Sequence, residues 1–292
     1  MLPREVLRSV RRIEITTRSM VDSIMGGEYK TVFKGNGMEF ADVRPYIEGD
    51  DVRSIDWNVT ARTGEPYIKK NEEERELTVL LAIDMSASED FGTRVHFKSR
   101  MIAELGALLG FSAIRNNDQV GLVLFTDRIE RFIPPRKGRK HVLHLIRELL
   151  YFRPRGTGTD ITAALRYINS IQKRKAVLFL VSDFLSEFSY ERSLQATARR
   201  HDLIAVTVED RREYELPAMG LVDLVDPETG KKCVIDTGSR RVRDAFARKA
   251  ALHREKRQAL LKKNRIDTFS IDTERGYAEP LISFFHRREV RA

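Results

Sequence analysis

Between residues 77 and 272, short apolar runs alternate with longer stretches of helical spacing. Leu77 to Ile83 is a nearly continuous apolar run ending at Asp84. Gln119 to Phe125 (QVGLVLF) and Ala176 to Ser182, which leads into Asp183, have the same character. Runs like these suit strands buried on both faces of a parallel sheet. Arg128 to Ile133, Leu203 to Val208 and Asp267 to Ile271 read as further strands. Val95 to Arg115, with Ile102, Leu105, Leu108, Leu109 and Ile114 at helical spacing, predicts a long helix. Arg139–Tyr151, Asp160–Gln172, Tyr190–Arg200, Arg240–Leu261 and Pro280–His286 predict others, while 211–236 is irregular, with two short strands around the DPETG turn. Such alternation implies βαβ units and right-handed crossovers. The expected class is α/β, with a doubly wound, mainly parallel Rossmann-type sheet covered by helices on both faces.

The first 76 residues follow another pattern. Leu2, Val6, Leu7, Val10, Ile13 and Ile15 recur near helical spacing among arginines and predict a first helix, stopped at Gly26-Gly27. From Tyr29 to about Arg75, turn residues (GNG at 35–37, EGDD at 48–51, TGEP at 63–66) break the chain into short pieces. These predict strands and hairpins rather than helices. The expected division is therefore 1–76, a helix and a small β-rich region, and 77–292, the α/β domain.

Composition narrows the class. Of 292 residues, 41% are hydrophobic and 33% charged, which excludes a disordered chain and a membrane bundle. The longest unbroken apolar run, Ala176 to Val181, is far too short to span a bilayer. The single cysteine, Cys233, excludes a disulfide framework and a cysteine-ligated zinc site. MLPREVLRSVRRIEI has no apolar core of a secretory signal. The expectation is a cytoplasmic protein, with contact at the inner face of the membrane through the arginine-rich first helix as a further option. The net charge of +9 is local: residues 231–265 hold 13 Lys/Arg against 3 Asp/Glu, leaving 39 cations and 40 anions elsewhere. This segment is read as a solvated or acidic-partner-facing helix with one apolar face, and nucleic acid is not expected as a partner.

Ligands of an open parallel sheet bind beyond the carboxyl ends of its strands. Those positions hold Asp84-Met85-Ser86-Ala87-Ser88 after the first strand and Asp183 after the strand at 176–182, with Gly156-Thr157-Gly158-Thr159-Asp160 entering a helix. Carboxylates and hydroxyls without His or Cys suit a hard cation, Mg²⁺ or Mn²⁺. D-x-S-x-S, then G-x-G-T-D, then S-D, in this order and on these elements, resembles the metal-ion-dependent adhesion site of the von Willebrand factor A fold. The resemblance implies that Asp84, Ser86, Ser88, Thr159 and Asp183 ligate the metal, the hydroxyls directly or through water.

A second resemblance covers residues 35–76. Glu39-Phe40, Arg44, Tyr46, Gly49-Asp50-Asp51, Arg53, Ile55-Asp56-Trp57 and Ala61-Arg62 match the pattern of the family called domain of unknown function 58. The resemblance implies association with a MoxR-type AAA+ ATPase, in a chaperone-like role that assembles or activates client proteins. Here Asp50, Asp51 and Asp56 among Arg44, Arg53 and Arg62 predict interlocked charge pairs around Trp57. The chain has no Walker A sequence, no G-x-G-x-x-G after the first strand and no G-x-S-x-G elbow. A Mg²⁺ phosphohydrolase using Asp84 as nucleophile would usually place a second aspartate two residues on, and Ser86 stands there. The function expected is metal-dependent protein binding without catalysis, with the client's acidic residue at the metal. The alternatives are that hydrolase and a scaffold with a vestigial site.

Overall fold

The structure is a computed structural model and describes residues 10–17, 20–21, 39–72, 76–86, 98–185, 189–225 and 230–291, the side chains of 39–43 and 69–72 excepted. Six strands form the central sheet: β3 (Thr78–Asp84), β4 (Gln119–Phe125), β5 (Ile129–Arg136), β6 (Val177–Ser182), β7 (Asp202–Glu209) and β10 (Asp267–Asp272). Their order is β10-β7-β6-β3-β4-β5, parallel throughout except for the antiparallel pair β4–β5. Pro134 and Pro135 lie in β5, an edge strand, where a missing N–H costs no ladder bond. The chain leaves β3 toward β4 on one side and returns to β6 on the other. The carboxyl ends of β3 and β6 therefore flank the point where the winding reverses, where such sheets place their ligands.

Every residue of β6 is buried, and β3 is buried from Val79 onward, as strands covered on both faces must be. On one face Leu80 and Ala82 pack with Ile161, Leu165 and Ile168 of α4 (Ile161–Ile171), Leu194 of α5 (Glu191–Arg200) and Leu261 of α6 (Arg240–Lys263). On the other, Leu81 faces α2 (Lys98–Arg115), which lies against α3 (Arg139–Tyr151). A Cβ on Gly106 would lie 2.7 Å from Leu149 Cδ1, so a larger residue there must displace that side chain between the two helices. The last helix, α7 (Ala278–Glu289), stacks Phe284 on Phe269 of β10 with ring centroids 4.9 Å apart. A hairpin of β8 (Leu221–Val225) and β9 (Lys232–Asp236) precedes α6.

By contact density the chain falls into two units, residues 33–77 and residues 1–32 with 78–292. The helix at residues 10–17 thus groups with the sheet. The reason lies in its side chains: Val10, Ile13 and Thr17 of the helical residues 10–17 are buried. Glu14 pairs with Arg139 at 2.5 Å, and Arg115 donates to the Val21 carbonyl.

The smaller unit holds an antiparallel pair, β1 (Glu39–Pro45) and β2 (Tyr67–Glu72), as expected. It also holds a helix that the turn-rich pattern did not suggest, α1 (Trp57–Thr63). Asp56 caps it by accepting from the Asn58 and Val59 amides, and Gly64 ends it at φ 77°, a conformation natural to glycine. The expected cage of charges around Trp57 takes a different form. Arg44 and Asp50 make a two-pronged pair at 2.8 Å, whereas Asp51 and Asp56 accept from backbone amides and Trp57 is 67% exposed.

Candidate functional site: an acidic cluster at the sheet's carboxyl edge

The site begins with register. Ile83 of β3 pairs with Val181 of β6, so the residues that follow, Asp84 and Ser182-Asp183, emerge side by side. Thr159 arrives from the loop before α4, whose own cap is Asp160. That loop is pinned at two places. Asp160 N–H donates to the Thr126 carbonyl at 2.9 Å, and Glu130 accepts from the Arg155 amide at 3.0 Å and the Gly156 amide at 2.7 Å. Gly156 is closely approached: a Cβ there would sit 2.1 Å from Asp127 Oδ1 and 2.3 Å from Thr126 Oγ1, so a larger residue must displace both side chains.

Four of the five residues singled out by the sequence come together in buried positions: Asp84, Ser86, Thr159 and Asp183. Ser88 lies outside the described residues. Asp84 Oδ1 accepts the Ser86 amide at 3.0 Å. Its Oδ2 accepts the hydroxyls of Ser182 at 2.7 Å and Thr159 at 3.3 Å. Asp183 Oδ1 accepts the Leu185 amide at 2.9 Å, while Oδ2 is buried with no hydrogen-bond donor. Burial, and then the nearby charge of Asp183, push the Asp84 carboxyl up to about 7 against the pull of the Ser182 and Ser86 hydrogen bonds.

Side chains that no motif announced complete the surroundings. Lys98, at the start of α2, is fully buried, with its ammonium 3.9 Å from Asp183 Oδ2 and 2.5 Å from Glu213 Oε1. Burial holds Glu213 above the usual carboxylate range, with Lys98 opposing. Arg257 of α6 donates to the Asp183 carbonyl at 2.9 Å and to Glu209 at the end of β7. This corrects the picture of a basic segment facing only water: Arg257 is 9% exposed. The segment's single apolar face is corrected as well. Leu252 is 49% exposed, and Arg257 and Leu261 are the buried residues of α6.

The donor set fits a hard divalent cation. It offers two carboxylates, one with an unanswered buried oxygen, and hydroxyls on Ser86, Thr159 and Ser182. Among the described residues no group of three or more His, Cys, Asp or Glu could hold a metal, so a cation here would rely on hydroxyls beside the two aspartates. Lys98 is the described positive charge against Asp183, but at 3.9 Å it does not hydrogen-bond Oδ2. Of the missed residues, Ser182 was legible as part of the S-D pair after a strand. Lys98, Glu213 and Arg257 carried no local signal, because only the tertiary fold brings them to Asp183.

Among the described residues no helix is long and apolar enough to cross a membrane. An uncharacterized protein of Mycobacterium tuberculosis (strain ATCC 25618 / H37Rv) is 32% identical over 284 residues, which cover 96% of this chain and 89% of that one. One of Mycobacterium avium is 31% identical over 160 residues, 53% of this chain and 93% of that one. Among solved structures, an aerotolerance-related membrane protein from Bacteroides fragilis resembles the fold with a TM-score of 0.50 at 14% identity, over 74% of this chain and all of that one. Matched over residues 42–256 by the family described as protein of unknown function DUF58, the chain belongs to that family.

Proposed function

We propose that this protein is a divalent-cation-dependent protein-binding adaptor with a von Willebrand factor A-like site. The observation that carries the reading is the buried Oδ2 of Asp183, which accepts no hydrogen bond, beside Asp84 and the hydroxyls of Ser86 and Thr159. In this reading Asp84, Ser86, Thr159 and Asp183 hold Mg²⁺ or Mn²⁺, with Ser88 as the fifth residue. A set rich in neutral hydroxyls leaves such an ion undercompensated, which favours one more anionic oxygen from outside the chain. A partner's Glu or Asp supplies it. The partners proposed are a MoxR-type AAA+ ATPase and the client proteins whose assembly or activation it drives, in the cytoplasm. Binding is preferred to hydrolysis because Ser86 stands where a phosphohydrolase would place its second aspartate, and its amide is already hydrogen-bonded to Asp84.

The test is the affinity of the MoxR-type ATPase encoded in the same genome, in Mg²⁺ and in EDTA, for the wild type and for Thr159→Ala. The expected result is loss of about tenfold or more with either change. The variant is needed because the chelator also strips the ATPase. Equal affinity in all four conditions would overturn the reading.

A further inference from the structure

Beside the acidic cluster, α6 and the chain that follows Asp183 line an open cavity of about 550 Å³. Asp183 lines both places. The cavity floor is apolar and aromatic: Phe184 and Tyr190, with rings 6.1 Å apart, and Leu185. Tyr214 forms a side wall, capped by the Arg254 guanidinium 5.5 Å from its ring centre. The roof is one face of α6, from Phe246 through Ala250 to Leu260. A cavity of this size and lining is of the kind that takes a large apolar group.

Its charges are unevenly answered. Asp183 and Glu213 share Lys98, and Glu209 takes both Arg254 and Arg257. Lys249 and Lys256 also line the cavity, are exposed, and have no ion pair among the described residues. Seven residues apart, they project from the same side of α6, about 10 Å from each other along its axis. An apolar hole flanked by two exposed lysines matches an apolar side chain flanked by carboxylates.

We infer that this cavity binds an acidic segment of a protein partner, taking one aromatic or large apolar side chain between Lys249 and Lys256. The inference rests on the reading of the neighbouring cluster as a cation-dependent protein-binding site. Because Asp183 borders both, one short segment can place a carboxylate at the cluster and its neighbouring apolar side chain in the cavity. This distinguishes the proposal from capture of a free lipid-like anion, which would need the cavity alone.

The probe is an end-blocked, dye-labelled heptapeptide, Gly-Glu-Glu-Phe-Glu-Glu-Gly, followed by fluorescence anisotropy with the full chain. Comparison peptides replace Phe by Ala, or every Glu by Lys, and dodecanoate serves as the lipid-like competitor. The protein variants are Ala250→Trp, which fills the cavity, and Lys249→Glu with Lys256→Glu. Circular dichroism confirms that each is folded. The expected result in Mg²⁺ is saturable binding of the acidic Phe peptide that weakens about tenfold or more in either variant, with either comparison peptide and in high salt. In EDTA the wild type binds more weakly but still responds to Ala250→Trp. Binding that responds to EDTA but not to the cavity variants overturns this inference and leaves the cation reading standing. Binding that responds to the cavity variants but not to EDTA supports the cavity and overturns the cation reading. No preference for the acidic Phe peptide, or tighter binding of dodecanoate than of any peptide, overturns the inference.

Discussion

Asp84 ends β3 with no exposed surface, and its neighbours pull its proton in opposite directions. Burial and Asp183 raise its pKa from 3.8 to about 7, while Ser182 and Ser86 lower it. Between these two values the folded chain keeps a proton that the unfolded chain releases. Stability from this group is therefore complete below about pH 4 and is lost as pH rises through 7. His201, held at about 4 by burial, contributes the opposite slope between pH 4 and its ordinary 6.5. Comparing variants separates the two, since His201 is common to both chains. In EDTA, Asp84→Asn is expected to match the wild type near pH 4 and to exceed it by on the order of 4 kcal/mol at pH 8. Urea unfolding across pH measures this, and parallel profiles would contradict it. Lys98→Met should cost about 3–5 kcal/mol in the same measurement, because it leaves Asp183 and Glu213 without their buried cation. At this scale the sequence revealed the residues that stand at strand ends within short motifs. It could not reveal Lys98 or Arg257, since nothing near them in the chain distinguishes a buried lysine or arginine from a solvated one.

The loop from Arg155 to Asp160 is the element on which the position of Thr159 depends. Its shape is set from outside, by Glu130 and by the close approach of Thr126 and Asp127 to Gly156. Gly156→Ala forces a methyl group into that contact and is expected to cost about 1–3 kcal/mol in thermal or urea unfolding. Glu130→Ala strands two backbone amides and should cost a similar amount. Wild-type stability for both would mean that the loop is not held this way. The glycines of G-x-G-T-D were legible as a tight loop, but Glu130 was not, because its role comes from a hydrogen bond across 26 residues. The helix α1 was missed for a different reason. Its signals, Asp56 at the start and Gly64 at the end, were present, but seven residues between turn-forming stretches were outweighed by the surrounding hairpin grammar. In α6 the basic composition suggested a uniformly solvated side, and one buried arginine broke that rule.

For the whole molecule, the alternation of buried runs and helical stretches sufficed to give a mixed α/β chain with a mainly parallel sheet, because both periodicities are written locally. Contacts divide the chain near residue 77, and the burial of Val10 and Ile13 places the helical residues 10–17 with the sheet. The winding reversal between β3 and β6 then gathers distant motifs at one edge, and the central claim is that this edge binds a divalent cation. Mn²⁺ titration followed by water-proton relaxation tests it most directly, with wild type, Asp84→Ala and Thr159→Ala compared at pH 7.5. The account predicts one saturable Mn²⁺ site in the wild type that Mg²⁺ displaces, absent in Asp84→Ala and about tenfold or more weaker in Thr159→Ala. Relaxation curves that coincide for all three folded proteins would contradict it.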